Sequence, residues 1–225
     1  MTSGAILAGG RSTRFGDADK SVVELGGVPM IRRVADRLAG TDDPIPPGGD
    51  RAAAGDPVVD DLVINCRPDQ RDAVAAALDG ITLPVRWALD DDVDLGPVAG
   101  VRNACRAAPG EYVAVVACDM PFVDPGFLDS LVADAAGHDA AIPRIDDRWL
   151  QTTQAVYRAD AMAAACDRAL DRGDRKLVAP LDGLNWITVD DATVHERTTE
   201  RTFTNVNTRG ELAEAEAVVA AARNE

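Results

Sequence analysis

The chain has 225 residues, of which 46% are hydrophobic and 4% are aromatic. This length suits one α/β domain with a substantial core, and the hydrophobic fraction excludes intrinsic disorder for most of the chain. The 38 acidic and 23 basic residues give a formal net charge of −15. A surface this acidic repels nucleic acid and anionic lipid, so we expect neither nucleic-acid nor membrane partners.

The types of charged residue are also informative. Asp accounts for 30 of the acidic residues and Arg for 21 of the basic ones, so that Lys20 and Lys176 are the only lysines. At the molar salt of a halophile's cytoplasm, a Debye length of about 3 Å screens the self-repulsion of such a charge excess. The composition therefore favours a halophilic source, with an acidic protein from a high-GC mesophile as the alternative.

The sequence carries no sign of export or of a disulfide framework. No stretch approaches the roughly 18 apolar residues of a membrane span, and residues 1–8 carry no secretory signal. Cys66, Cys105, Cys118 and Cys166 are far apart and lack the Cys-x-x-Cys spacing of zinc sites. We expect a cytoplasmic protein with reduced, mostly buried thiols.

Apolar runs alternate with amphipathic stretches along the chain, which is the pattern of βαβ units with a mainly parallel sheet. The predicted strands are Gly4–Ala8, Asp61–Asn65, Pro84–Ala88, Tyr112–Ala117, Ala140–Pro143, Thr153–Tyr157 and Leu184–Val189. The predicted helices are Pro29–Ala39, Arg67–Leu78, Val98–Ala107, Pro125–Ala136, Ala159–Asp171 and Arg209–Ala222. We predict a single domain over residues 1–225. Within it, the segment 40–58 is rich in proline and glycine and is predicted to be an inserted surface loop.

The first predicted strand leads into a glycine-rich loop with the sequence L-A-G-G-R-S-T-R-F-G-D-A-D-K over residues 7–20. Ligands of parallel sheets bind at the carboxyl ends of the strands, and glycines there let backbone amides approach a phosphate. Arg11, Arg14 and Lys20 add three positive charges. The loop predicts an anion-binding site, and a flexible connection with solvated arginines is the alternative.

Asp119 belongs to the segment C-D-M-P-F (residues 118–122) that directly follows the predicted central strand Tyr112–Ala117. Mg²⁺ is usually held by one or two carboxylates together with phosphate oxygens and water. The alternative role, capping the next helix, fits poorly because that helix begins only at Pro125. Asp119 is therefore a candidate Mg²⁺ ligand.

Other polar residues fall at the same predicted edge of the sheet. Asn65 ends a strand, where its amide could read a base or a ribose, or could simply form a turn. Asp90 opens an acidic triplet, a pattern more typical of a solvated loop. Before the last helix, Thr208 is a predicted N-cap, which leaves Asn205 and Asn207 without a structural explanation.

Four segments in this order carry a family resemblance: residues 7–20, G-P-V-A-G at 96–100, C-D-M-P at 118–121 and N-V-N-T at 205–208. Together they resemble the molybdenum cofactor guanylyltransferases, which are small nucleotidyltransferases. The resemblance runs from Gly4 to the last helix. It implies a three-layer, Rossmann-like (GT-A) α/β fold, with a mainly parallel sheet and helices on both faces.

The resemblance also implies an enzyme that transfers GMP from GTP to Mo-molybdopterin, with Mg²⁺ as cofactor and pyrophosphate as the second product. Molybdoenzymes or pterin-delivery proteins would be further partners. The residues that it assigns to GTP are Leu7, Ala8, Gly9, Lys20, Asn65, Asp90 and Asp119. Catalytic roles fall to Arg14, Lys20 and Asp119, with Asp119 as the metal ligand, and the acceptor side to Asn205 and Asn207.

Three other functions remain open from the residues alone. A related nucleotidyltransferase could use CTP on the same pterin, or GTP on adenosylcobinamide phosphate. A non-catalytic chaperone could bind a nucleotide or the cofactor without transferring anything. A sugar-nucleotide enzyme of this fold is the third possibility.

The composition predicts that folding depends on salt. We expect the melting temperature to fall, and the transition to broaden, when molar KCl is replaced by a buffer of low ionic strength, because the charge excess is then unscreened. Circular dichroism melts across a KCl series measure this. An equally sharp transition at the same temperature in low salt would contradict the prediction.

Overall fold

The computed structural model describes residues 1–10, 19–41, 57–90 and 95–223. In these ranges the strands are β1 (Thr2–Leu7), β2 (Glu24–Leu25), β3 (Val28–Pro29), β4 (Asp61–Cys66), β5 (Val85–Leu89), β6 (Tyr112–Ala117), β7 (Ala140–Ile145), β8 (Trp149–Leu150), β9 (Gln154–Arg158) and β10 (Trp186–Val189). The α-helices are α1 (Met30–Leu38), α2 (Arg71–Ala77), α3 (Pro97–Ala107), α4 (Pro125–Asp134), α5 (Ala159–Asp171), α6 (Asp191–Arg197) and α7 (Arg209–Ala222). Every predicted strand and helix is confirmed, with small shifts at the ends.

The central sheet has the strand order β10-β7-β9-β6-β1-β4-β5, and β8 pairs with β7 beside it. Parallel pairing joins β1 to β4 and to β6, β4 to β5, and β7 to β10. Strand β9 runs antiparallel to its neighbours β6 and β7. Because β4, β1 and β6 are adjacent and run in the same direction, their carboxyl ends meet at one edge of the sheet.

Helices cover both faces of this sheet, because alternate residues of the central strands point to opposite sides. In β6, Val113 and Val115 belong to a core that includes α3 and α5. Ala114 and Val116 belong to the opposite core, which includes α1, α2 and α4. The three-layer α/β fold expected from the sequence is therefore confirmed.

A third, smaller core lies beside these layers. The short ribbon of β2 and β3 packs with α7, and the core includes Leu25, Met30, Phe122, Val206 and Val219. The sequence did not predict this ribbon because two-residue strands have no readable periodicity. Helix α6 was also missed, since it is short, mostly polar and buries only Val194.

The predicted insertion falls largely outside the described residues, which resume at 57 after 41. Its described ends lie close together, since Val58 N–H donates to Leu38 O at 3.2 Å. All four cysteines are buried and unpaired, as expected. Among the described residues, no helix has the length and apolar character that crossing a membrane requires.

The buried Asp124 generates a prediction about stability. Its carboxylate caps α4 by accepting from Phe127 N–H at 3.2 Å, and it accepts from Thr198 Oγ1 at 2.7 Å. We expect Asp124→Ala to lower the free energy of unfolding by about 2 kcal/mol, because a cap is lost and a buried hydroxyl loses its partner. Urea denaturation at fixed salt measures the change.

The matched control is Asp190→Ala. Asp190 caps α6 in the same way, through Thr193 N–H at 2.9 Å, but it is exposed. The loss of stability should be clearly smaller there, because water can satisfy the freed amide. Equal losses in the two variants would contradict the role assigned to burial at Asp124.

Candidate active site

One cavity of about 500 Å³ lies at the edge where β1, β4 and β6 end and α3 begins. Backbone hydrogen bonds bring these ends together: Ala8 N–H donates to Asn65 O at 2.7 Å, and Cys118 N–H donates to Leu7 O at 3.0 Å. The residues lining the cavity are Leu7, Ala8, Gly9, Gly10, Lys20, Ser21, Asn65, Asp90, Gly96, Pro97, Gly100, Ala117, Cys118, Asp119, Thr153 and Asn207. The sheet edge predicted from the sequence is therefore a concave site.

One group of side chains in the cavity is centred on the Lys20 ammonium. Lys20 Nζ forms an ion pair with Asp119 Oδ2 and donates to Asn207 Oδ1 at 2.5 Å. These residues are far apart in sequence, and each comes from a different segment that the sequence had singled out. The ion pair is mostly buried, with side-chain exposures of 15% and 16%, so solvent screens it less than a surface pair.

Asn207 reaches this cluster because the chain before α7 is fastened to the end of β6. Val206 N–H donates to Asp119 O at 2.9 Å, and the Val206 side chain is fully buried. Thr208 caps α7 as predicted, by accepting from Glu211 N–H at 3.2 Å. The Glu211 carboxylate accepts from Asn207 N–H, and this hydrogen bond holds the pKa of Glu211 below its usual range.

Asp119 is available to a metal ion. Helix α4 is capped by Asp124, so Asp119 has no capping role there. Its Oδ1 is buried and has no hydrogen-bond partner among the described residues. In the same ranges no cluster of three or more His, Cys, Asp or Glu could hold a metal by protein ligands alone. The site therefore fits Mg²⁺ held by one carboxylate together with phosphate oxygens and water.

A second polar group lies on the β4 and β5 side of the cavity. Asn65 Nδ2 donates to Ala88 O at 2.9 Å and to Asp90 Oδ1 at 2.8 Å. Asp90 is only 9% exposed, so the reading of its acidic triplet as a solvated loop does not hold for this residue. A Cβ added at Gly9 would lie 2.4 Å from Asp90 Oδ2, which explains why glycine is needed there.

Gly100 of α3 makes the corresponding close approach from the other direction. A Cβ at this position would lie 2.5 Å from Asn65 Oδ1. Gly100 thus lets α3 pack directly against the polar end of β4.

Gln70 is a positioning residue that the sequence analysis missed. Its buried amide donates to Ala8 O at 3.1 Å and to both carboxylate oxygens of Asp19, at 3.0 and 2.9 Å. Asp19 in turn caps the short helical turn that carries Lys20, by accepting from Ser21 N–H at 3.0 Å. A glutamine on a predicted helix is most simply interpreted as a surface residue. Only the fold shows that the Gln70 amide holds the segments around the cavity in place.

The cavity also contains a thiol that is unsuited to covalent catalysis. Burial, with a smaller contribution from the neighbouring Asp119 charge, raises the pKa of Cys118 far above its usual range. The nucleophilic form of cysteine is the thiolate. Cys118 is therefore protonated at neutral pH and serves as part of the cavity wall.

Two of the predicted site residues are not among the residues that line the described cavity. Asn205 is half-buried, donates to Phe203 O at 3.1 Å and does not line the described cavity. Arg14 lies outside the described residues, as does Arg11. The other predicted residues, from Leu7 to Asn207, all line the cavity.

Similar proteins were found both by sequence and by structure. A protein from Natronomonas pharaonis named "Probable molybdenum cofactor guanylyltransferase" is 41% identical over 95% of this chain and 96% of its own. One of the same name from Haloferax mediterranei is 39% identical over 93% and 90%. The crystal structure of molybdopterin-guanine dinucleotide biosynthesis protein A from Archaeoglobus fulgidus superimposes with a TM-score of 0.74 at 27% identity, covering 97% of this chain and 99% of that one.

The family model described as the MobA-like NTP transferase domain matches residues 4–186, which is most of the chain and includes the first three segments of the site. The sequence resemblance, the three-layer fold and these matches agree. The chain is a nucleotidyltransferase and belongs to the family of MobA-like NTP transferases.

Proposed function

We propose that this protein transfers GMP from GTP to Mo-molybdopterin and releases pyrophosphate. The observation that carries the proposal is the arrangement of the cavity, which has a cation and a metal-competent carboxylate on one side and the Asn65–Asp90 pair on the other. The relatives' names, which describe probable molybdenum cofactor guanylyltransferases, support guanylyl transfer. Two anionic reactants have to meet in this reaction, so charge neutralisation is the main task of the site.

In the proposed complex the nucleoside lies along the ends of β1 and β4. Leu7, Ala8 and Gly9 contact the guanosine through their backbone groups, and the small side chains of Ala8 and Gly9 leave room for this approach. Asn65 and Asp90 position the nucleoside from the adjoining β4 and β5 side of the cavity. The triphosphate then extends towards the end of β6.

Lys20 binds the phosphates at that end. In the protein alone its charge is matched by Asp119, so the ammonium is already held in the cavity and loses little freedom when a phosphate arrives. Asn207 keeps Lys20 in position from the other side. We infer that phosphate oxygens replace part of this ion pair when GTP binds.

Asp119 holds Mg²⁺ in this proposal. When bound, the ion supplies positive charge to the phosphate oxygens on which negative charge develops. The attacking group is an ionised phosphate, so no general base is needed. The residues therefore act by orienting two anions and by screening their repulsion.

The acceptor side is assigned to the β6–β9 half of the edge. Asn207 already contacts Lys20, and we assign it and Asn205 to the phosphate or pterin of the acceptor. Arg14 is proposed as a further cation for the same phosphates. Molybdoenzymes or pterin-delivery proteins are the proposed protein partners, in the cytoplasm of a halophile.

The first test compares nucleotides. Calorimetric titration in molar KCl with Mg²⁺ should show binding of GTP in clear preference to CTP and ATP, because a carboxylate accepts hydrogen bonds and the guanine edge presents N–H donors to it. A preference for CTP would replace the proposed product with a cytosine dinucleotide. Absence of any nucleotide binding to folded protein would reject the proposal.

Asp119→Ala should abolish transfer and leave the fold intact, because its carboxylate lies at the cavity and caps no helix. The measurement is release of pyrophosphate from saturating GTP in the presence of Mo-molybdopterin, with a melting curve as the folding control. Asp124→Ala is the matched variant: it should lose stability and keep transfer. A fully active Asp119→Ala protein would refute the metal assignment.

Lys20→Ala should weaken GTP binding by about 2 kcal/mol, the scale of a charge-assisted contact with phosphate. Titration calorimetry gives the dissociation constant. Lys176→Ala is the control, because it removes the other lysine without touching the described cavity. Equal GTP affinity in wild type and Lys20→Ala would remove Lys20 from the site.

A further inference from the structure

Asn103 lies on the face of α3 that approaches the cavity. Positions 100 and 103 are three residues apart on α3, so they share one face of the helix. Gly96 and Gly100 line the cavity, and Asn103 lies one turn further along, outside the lining. Its Nδ2 donates to Asp90 Oδ1 at 3.0 Å and to Leu89 O at 3.3 Å.

Asp90 is thereby held by two amides that come from different elements. Asn65 Nδ2 and Asn103 Nδ2 donate to the same carboxylate oxygen, Oδ1, at 2.8 and 3.0 Å. Two donors on one oxygen fix the rotation of the carboxylate about its Cβ–Cγ bond. The other oxygen, Oδ2, then has a defined direction towards Gly9.

The orientation of the Asn103 amide is itself determined by a neighbour. Arg102 donates to Asn103 Oδ1 through Nε at 3.2 Å and through Nη2 at 3.1 Å. A guanidinium has donors only, so the amide oxygen has to face it. The amide nitrogen is consequently turned towards Asp90, and the opposite flip would leave two donors facing Arg102.

This row of contacts continues to α5. Arg102 Nη1 lies 3.8 Å from Asp167 Oδ1, and Arg106, one turn further along α3, pairs with Asp167 Oδ2 at 2.6 Å. Both arginines therefore touch the same carboxylate, but only Arg102 touches Asn103. This difference provides a matched control for an experiment.

We propose that Asn103 is a positioning residue that fixes the Asp90 carboxylate and so contributes to the choice of nucleotide base, with Arg102 setting the orientation of Asn103. The inference rests on the proposed function, in which Asp90 contacts the nucleoside. A fixed carboxylate oxygen favours a base that presents N–H donors on the facing edge. A freely rotating carboxylate discriminates less between bases. It can turn away from a base that has an acceptor on that edge, so the repulsion that would reject this base is lost.

The test is a set of titrations with GTP and CTP in the presence of Mg²⁺, together with steady-state kinetics of GMP transfer. Asn103→Ala should weaken GTP binding about tenfold and reduce the preference for GTP over CTP, since a hydrogen bond to a charged group is lost. Its kcat should stay within about threefold of wild type, because the phosphate end is untouched. Arg102→Ala should also weaken GTP binding and reduce the preference for GTP over CTP, but by less than Asn103→Ala.

Two comparisons separate this role from a general effect on the fold. Arg106→Ala should keep the wild-type affinity and base preference, although it removes the shorter ion pair with Asp167. The double variant Arg102→Ala/Asn103→Ala should resemble Asn103→Ala alone, because both changes act through one contact. Melting curves check folding, and Asn103→Ser replaces Asn103→Ala should the latter be unfolded.

The outcomes distinguish the inference from the function on which it rests. Wild-type protein that binds no GTP would overturn both. Wild-type protein that binds GTP, with Asn103 variants of equal affinity and base preference, would overturn the positioning role alone. Additive losses in the double variant, or an equal loss in Arg106→Ala, would also overturn it.

Discussion

The candidate site depends on the backbone hydrogen bond between Val206 and Asp119. Asp119 lies two residues after the central strand β6, whereas Val206 lies in the segment before α7, and the buried Val206 side chain packs in the small apolar core. Packing of apolar residues thus determines where Asn207 and Lys20 meet. A hydrogen bond between two main-chain groups needs no particular side chain. It can therefore persist when the neighbouring side chains are substituted.

Much of the fold and part of the site could be predicted from the sequence. Strand β6 and helices α5 and α7 were predicted with their observed ends, because their apolar patterns are long and regular. Lys20, Asp119 and Asn207 were each singled out from motif segments, two of which follow predicted strands while the third precedes the last helix, but their contact is shown only by the fold. The residues that hold the cavity in shape could not be predicted. Gln70 and Asp90 are buried by segments that are remote from them in sequence, so their own neighbours along the chain do not indicate this burial.

The electrostatics of the site contrast with those of the whole molecule. An acidic protein repels anionic substrates at long range, but at molar salt this repulsion is screened within a few ångströms. Mostly buried groups such as Lys20 are screened much less, so they retain their attraction at contact distance. At high salt, substrates would then be selected by the local geometry of the site and not by long-range electrostatic attraction. In this site amides from several elements hold the charged side chains in that geometry.

The contact between Leu38 and Val58 has a consequence for the evolution of this chain. Leu38 and Val58 are neighbours in space although they are far apart in sequence, so a connection between them has only a short distance to span. The entropy of closing a loop grows only slowly with its length. Residues can therefore be gained or lost at this position at little thermodynamic cost, which makes it a suitable place for attaching a reporter group or a second domain without disturbing the sheet edge.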